Sequence, residues 1–378
     1  MEEAQNDSDN LVEDGFAFLK LNNECNIENA ENKLIFDRLT YIIFCTAILP
    51  SDKFGKMALN QLSKLYMSVK DLDGNWFFEP SYENDLNLLY DKMKSFFPLK
   101  KGIISVANVL REQLVNDPFR NGIELGVLNR IIDLSKTPYL KEDLPYHSRI
   151  GIGYHAGTVA NEEQQLLEDS FFMFISAKIA YKNFYKTGLT FKREDKDIKP
   201  ELTDKLSRLN KNVATFCRNG IINYYSFFES FVNCLGIDYL YDNELKLSEE
   251  EKNALRGKNK SGDHYLTMEM KIECLQKIVG GKVIFKTNNP KQLKDLSFQQ
   301  LLNRFKSERD TSVHFAKGKG EILLAPQKWL KEIQDISVCT LDASKKLWKA
   351  CYSDRDYPNY LRKLNYDVLY KEAELRLL

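Results

Sequence analysis

Residues 307–316, "SERDTSVHFA", bring three chemically able side chains together. Arg309 is followed at once by Asp310, and four positions later by His314, one of only four histidines in 378 residues. As residue types they form a kit for cutting RNA without a metal. An imidazole can exchange a proton near neutral pH, taking it from a ribose 2′-OH or giving it to a leaving oxygen. An arginine fork suits the extra negative charge of a phosphorane-like transition state. A carboxylate four residues before the histidine can hold the imidazole in one tautomer. RNA carries its own nucleophile, so the chemistry requires no metal and no cofactor, and the sequence offers no obvious carboxylate cluster for two ions.

One geometric objection stands against this reading. Five residues of a regular helix turn through about 500°, so Arg309 and His314 point roughly 140° apart. Either the helix loosens through "DTSV" (310–313), which contains poor helix formers, or two copies of the chain pool their groups across a two-fold axis. As a bare pattern R-x4-H arises by chance in many proteins, and an ordinary surface helix is the bland alternative.

The element that must position these groups is legible. Ser297 and Gln300 read as an S-x-x-Q capping box ahead of an apolar run. Phe298, Leu301, Leu302 and Phe305 follow at helical spacing. Extending that stripe reaches position 309, so Arg309 falls where the next core residue is expected. A guanidinium there must have a partner, because burying a lone charge is very costly. Gly318 and Gly320 then end the helix and leave His314 near its last turn. The whole chain is neutral, with 54 Lys+Arg against 54 Asp+Glu, which neither favours nor excludes nucleic acid. Residues 252–319, however, hold 15 Lys/Arg against six Asp/Glu. That local excess suits a polyanion, with Lys306 and Lys317 beside the motif as candidate RNA contacts; a solvated lysine-rich surface is the plain alternative.

The rest of the chain reads as mainly α. Residues 1–32 carry nine acids and one lysine and are expected to be partly disordered. A helical N-terminal domain is expected over 33–195. In it "ENDLNLLYDKMKSFF" (83–97) sets Leu86, Leu89, Tyr90, Met93 and Phe97 on one stripe, and 161–185 opens with acids and closes with lysines, as a helix dipole prefers. Between them "YHSRIGIGYHAGTVAN" (146–161) reads as a small extended insert, with Ile150, Ile152 and Tyr154 alternating. The charged "KREDKDIKPE" (192–201) marks the domain boundary. A second helical domain covers 196–352 and a C-terminal helix 353–378. A helix over about 203–240 buries Tyr224, Phe227, Phe228, Phe231 and Leu235, and another over 265–281 stops at Gly280–Gly281.

Several classes are set aside. Seven scattered cysteines with no C-x-x-C pair support neither a zinc site nor a disulfide framework. The acidic start "MEEAQNDSDN" does not read as a signal peptide, and the longest apolar run, 39–49, is about half a membrane span. The expectation is a soluble, cytoplasmic protein with no membrane partner. "GIGYHAG" misses the dinucleotide fingerprint by one residue and lacks a strand-loop-helix unit. His147 and His155 flank that segment and read as structural, and His264 lies in a polar loop.

R-[polar]-x3-H, late in a helical domain and ending a helix, resembles the signature of the HEPN superfamily (higher eukaryotes and prokaryotes nucleotide-binding). "FFESFVNCL" (227–235) is similar to the aromatic-Glu-Ser-Phe-x-Asn segment of several HEPN families, and "MKIECLQKI" resembles their next, lysine-bearing helix. The resemblance covers roughly 203–320. It implies a HEPN-like helical bundle that forms a homodimer, with two Arg-His motifs facing one RNA cleft. It further implies a metal-independent endoribonuclease that leaves a 2′,3′-cyclic phosphate, as in toxins and anti-phage defence effectors, with tRNA among the candidate substrates and an antitoxin or regulatory protein as a candidate partner. Carried over by position, Arg309 and His314 are catalytic. Asp310 is the polar residue after the arginine, Glu229 and Asn233 support the site, and Lys271 lies near the cleft. The N-terminal domain would sense a trigger or restrain the nuclease. The alternative from another class is a non-catalytic HEPN-like module for binding RNA or nucleotide and for dimerisation. A third reading is a nucleotide-dependent enzyme built on "GIGYHAG".

Overall fold

The computed structural model describes residues 19, 30–48, 70–72, 75–77, 80–137, 144–152, 158–186, 200–289, 292–313, 325–362 and 366–377. The protein is mostly helical, with a small three-stranded antiparallel sheet. The chain divides into two compact units, Met1–Asn161 and Glu162–Leu378.

In the first unit, α1 (Ala30–Ile48) holds the longest apolar run and packs against α2 (Pro80–Phe96) and α3 (Ile103–Leu114). A run apolar all round suits a helix covered on most sides, and Tyr41, Ile42, Phe44 and Cys45 are all fully buried. The stripe expected in α2 is the buried one: Leu86, Leu89, Met93 and Phe97 lie in the core. Tyr90 sits at its edge, with the Arg38 and Lys94 side chains over its ring. A short hairpin, β1 (Lys70–Leu72) with β2 (Asn75–Phe77), precedes α2. After the short helices α4 (Pro118–Asn121) and α5 (Leu125–Ile131), the extended insert takes shape. Its strands β4 (Arg149–Gly151) and β5 (Thr158–Ala160) pair antiparallel, and β3 (Ile123–Glu124) lines the other edge of β4. Ile150 and Ile152 are buried as their alternation requires, whereas Tyr154 and His155 lie outside the described residues. A strand, not a helix, follows the first glycines of "GIGYHAG", which is the wrong element for a dinucleotide turn.

The second unit is built on α7 (Pro200–Asn243), a 44-residue helix about 66 Å long at 1.5 Å per residue. Its stripe Tyr224, Phe227, Phe228, Phe231 and Leu235 is buried, as is Tyr225 beside it. α6 (Glu162–Tyr185) and α12 (Pro326–Cys351) lie along α7, and α14 (Tyr366–Leu377) packs on α6. Buried Glu163 is satisfied within the unit, as a buried acid must be: the Cys234 thiol donates to it at 3.4 Å and the Tyr360 hydroxyl at 3.2 Å. Because α6 packs on α7, the division falls at Asn161/Glu162, some thirty residues before the charged stretch expected to mark it. The C-terminal segment forms two helices, α13 (Asn359–Arg362) and α14.

Three smaller elements complete the framework around the candidate site. α8 (Glu249–Leu255) starts at Ser248, whose hydroxyl caps the Glu251 N–H while the Glu251 carboxylate accepts from the Ser248 N–H. α9 (Met268–Ile278) is capped by Thr267 and followed by Gly281 in the left-handed region, φ 73°, the stop expected at Gly280–Gly281. The motif helix begins as α10 (Leu296–Gln299), continues as a π-helical stretch over Gln300–Phe305, and becomes α11 (Lys306–Val313). Its cap is Asp295, not Ser297: the Asp295 carboxylate accepts from the Ser297 and Phe298 N–H groups. The Ser297 hydroxyl instead donates to Asp342 at 2.5 Å. Lys346 completes the swap by pairing with Asp295 at 2.6 Å.

Gly236 lets α7 approach the end of α8 closely, since a Cβ there would lie 2.4 Å from the Leu255 carbonyl oxygen. A backbone oxygen cannot rotate away. Gly236→Ala is therefore expected to cost about 1–3 kcal/mol of stability, whereas Leu245→Ala, at a fully exposed position, should change it by less than about 0.5 kcal/mol. Urea denaturation of the three proteins measures both.

Candidate functional site

The site grows from one stripe of α7. Tyr225, Glu229 and Asn233 follow at i, i+4 and i+8 and so face one way. Arg309 comes one turn after buried Phe305 on α11, where the apolar stripe would continue, and there it meets that face. Its guanidinium donates to Glu229 at 3.0 Å and pairs with Asp310 at 3.0 Å. The guanidinium carbon lies 4.6 Å from the centre of the Tyr225 ring, a cation–π distance. The arginine side chain is 26% exposed and each of the two carboxylates 37%, so the cluster is open to solvent on one side and floored by an aromatic ring on the other.

Tyr225 itself is completely buried, and its hydroxyl has no hydrogen-bond partner among the described residues. Burial, reinforced by the Glu229 charge and opposed by Arg309, pushes the phenol well above its ordinary range. It serves as an uncharged aromatic floor beneath the guanidinium.

The same stripe reaches a second cation. Lys271 on α9 donates to Asn233 at 2.9 Å. Burial depresses its ammonium below the usual lysine range, against the pull of Glu229. No carboxylate lies within ion-pair distance of it among the described residues. A desolvated ammonium held by a neutral amide is a site where an incoming anion gains interaction energy. Lys306 differs, because it pairs with Glu269 at 2.8 Å. Burial alone would raise the Glu269 carboxyl, but the Lys306 contact and a backbone hydrogen bond outweigh it and hold it low.

Arg309, Asp310, Glu229, Asn233 and Lys271 are thus brought together, and Lys306 lies beside them on the same helix as Arg309. His314 and Lys317 lie outside the described residues. α11 stays helical through Val313, so "DTSV" supplies no loosening before the histidine. Asp310, expected to orient an imidazole, is engaged with Arg309. Tyr225 was not legible as a site residue, although its i, i+4 spacing to Glu229 was the available signal.

A second cluster lies on the same helix, five residues before Arg309. Arg304 is ringed by Glu332, by Glu308 at 3.2 Å, by Asp335 at 3.4 Å and by the Gln300 amide oxygen at 3.3 Å. Burial, with Glu332 adding to it and Arg304 opposing, pushes the Glu308 carboxyl up to about 7. One arginine cannot fully compensate the neighbouring acids in a partly dry site.

The geometry defines a class: a mainly helical protein with a solvent-facing arginine–carboxylate–tyrosine cluster and a desolvated lysine one turn along. No protein-family model, no curated protein and no solved structure matches the chain.

Two expectations follow. Tyr225→Phe removes a hydroxyl that has no partner among the described residues and should leave stability unchanged or raise it by up to about 1 kcal/mol, while Tyr225→Ala should cost about 3–5 kcal/mol; thermal and chemical denaturation check both. Glu308 binds its proton more tightly folded than unfolded. Its contribution is therefore fully present below the unfolded value near 4.5 and lost as pH rises through about 7. The stability difference between wild type and Glu308→Gln should fall by on the order of 1–2 kcal/mol across that window, after allowance for solvent screening; a pH series of urea midpoints reads it.

Proposed function

We propose that the chain is a metal-independent endoribonuclease of the HEPN type, acting as a homodimer. One observation carries this reading. The two segments whose residues resemble the HEPN pattern lie 80 residues apart, and Arg309 of one donates to Glu229 of the other at 3.0 Å. The motif arginine, its supporting acid, Asn233 and the lysine of the next helix form one contiguous polar cluster.

In the proposed reaction the ribose 2′-oxygen attacks the adjacent phosphorus as its proton passes to a base. The O2′–P bond forms, the P–O5′ bond breaks, and a proton is delivered to O5′, leaving a 2′,3′-cyclic phosphate and a 5′-hydroxyl. His314 is the proton-exchanging group. Arg309 carries the charge that builds on the non-bridging oxygens. Glu229 and the Tyr225 ring fix the guanidinium plane, and Lys271 offers a second cation to the RNA backbone. α11 is regular through Val313, and in the proposed homodimer the Arg309 and His314 groups of two copies are pooled at one RNA cleft. The biological setting that fits is a toxin or anti-phage effector restrained until triggered.

A second reading has its own support. Both terminal nitrogens of Arg309 are committed to carboxylates, as in a structural arginine of an RNA-binding or dimerising module. The test separates the two. Purified wild type, Arg309→Ala, Arg309→Lys and His314→Ala are incubated with total RNA and with tRNA in excess EDTA, and the product ends are analysed. Cleavage by wild type to cyclic phosphate ends is expected, with losses of about 10²-fold or more in Arg309→Ala and His314→Ala. Arg309→Lys should fall nearly as far, because an ammonium cannot present the planar fork. RNA binding with no cleavage by wild type supports the module, and equal cleavage by all four overturns the site.

A further inference from the structure

The loop between α8 and α9 has a built interior and an unusual exterior. Its ends are tied together: Lys258 and Tyr265 form an antiparallel bridge, the Leu266 N–H donates to the Gly257 carbonyl at 2.8 Å, and the Asn259 N–H to the His264 carbonyl at 2.8 Å. The Asn259 side-chain oxygen accepts from the Asp263 and His264 N–H groups and from the Ser261 hydroxyl. Asn253 of α8 donates to the Lys260 carbonyl at 3.2 Å. Gly257 and Gly262 take the left-handed conformations such a turn needs, φ 73° and 82°. A loop pinned at this many points is rigid.

Its outer face carries an aromatic ring and several cations. Tyr265 is 79% exposed, although an ordered tyrosine normally buries its ring. Arg256, Lys260 and His264 are exposed beside it and Lys258 half-exposed, with Asp263 the one acid of residues 256–265. Lys258 has no carboxylate partner among the described residues. Lys260 pairs with Glu250 at 3.0 Å, both ends in water, and such a pair yields readily to a phosphate.

The loop is also anchored to the candidate site. A Cβ on Gly257 would lie 2.8 Å from Lys271 Cε, so the loop base rests on the lysine that reaches Asn233. Asn233 is one helical turn, about 5.4 Å, from the Glu229 that holds Arg309. From these observations we propose that the loop Gly257–Leu266 is a docking platform for single-stranded RNA flanking the cleaved bond. Tyr265 is the surface on which a base stacks, and Lys258 and Lys260 contact the phosphates. Stacking on an exposed ring beside a cationic track is how single strands are held without sequence preference. The proposal rests on the ribonuclease reading for its substrate, and the test keeps the two apart.

Binding of a fluorescein-labelled, non-cleavable 2′-O-methyl oligoribonucleotide is measured by anisotropy for wild type, Tyr265→Phe, Tyr265→Ala, the double variant Lys258→Ala/Lys260→Ala, and Leu245→Ala as a surface control. Cleavage of the matching RNA is assayed in parallel. Tyr265→Ala is expected to weaken binding about 5- to 100-fold, the effect of losing one stacked base, while Tyr265→Phe and Leu245→Ala bind as wild type. The lysine double variant should bind more weakly and lower the slope of log K against log salt by about 1.4, two single-strand phosphate contacts. Tyr265→Ala binding within twofold of wild type overturns the platform, even if wild type cleaves RNA. Tyr265-dependent binding with no cleavage upholds the platform and overturns the ribonuclease reading. Absence of binding by wild type overturns the platform outright.

Discussion

A guanidinium placed where a helix reserves a core position cannot be left alone, and the second unit is arranged around that constraint at Arg309. Phe298, Leu301, Leu302 and Phe305 fill the stripe before it with buried apolar side chains. The next side chain in line is permanently charged. Its desolvation is offset on three sides: Tyr225 receives its face, Glu229 one edge and Asp310 another. The aromatic belt of α7 therefore gives way, on one stripe only, to Tyr225, Glu229 and Asn233. Asn233 in turn fixes Lys271, and Lys271 supports the loop at Gly257. Each of these side chains is placed by the one before it.

The electrostatic consequence is a set of charges that are held rather than free. Arg304 and Arg309 lie five residues apart, and both are hemmed by carboxylates. Under the ribonuclease proposal, cations fixed in this way need little reorganisation when negative charge develops beside them. Lys271 is the exception. Burial weakens its hold on its proton and no acid among the described residues pairs with it, so a phosphate approaching the cluster meets its least compensated cation there. Residues 300–305 are wound as a π-helix just before the motif. A π turn re-aims the side chains that follow and is frequent at functional sites.

Much of this framework was legible because it is written in a period of 3.6. The stripes of α2 and α7, the charge polarity of α6 and the placement of Arg309 beyond Phe305 all follow from spacing. The neighbourhood of Arg309 and Glu229 followed from resemblance between segments, not from physics. What escaped the sequence has physical reasons. Ser297 and Asp295 are both good caps two residues apart. The choice between them is made by Lys346 and Asp342 from another helix, which no local pattern reveals. A π turn has no sequence period of its own. Tyr225 is hidden among aromatics of the same stretch, and its role depends on a guanidinium 84 positions later. The raised Glu308 carboxyl depends on Glu332 of α12. The charged stretch 192–201 is a local sign of a boundary, but the compact division follows the packing of α6 on α7.

In the proposed ribonuclease, Arg309 and Glu229 act as one catalytic unit. A double-mutant cycle on single-turnover RNA cleavage in EDTA tests it most directly, using wild type, Arg309→Ala, Glu229→Gln and the double variant. Residues that act as a unit are strongly non-additive. Glu229→Gln is expected to lose a large part of the rate, and the double variant to be no slower than Arg309→Ala alone. Losses that simply add, a Glu229→Gln variant that cleaves like wild type, or a wild-type protein that cleaves no RNA would contradict it.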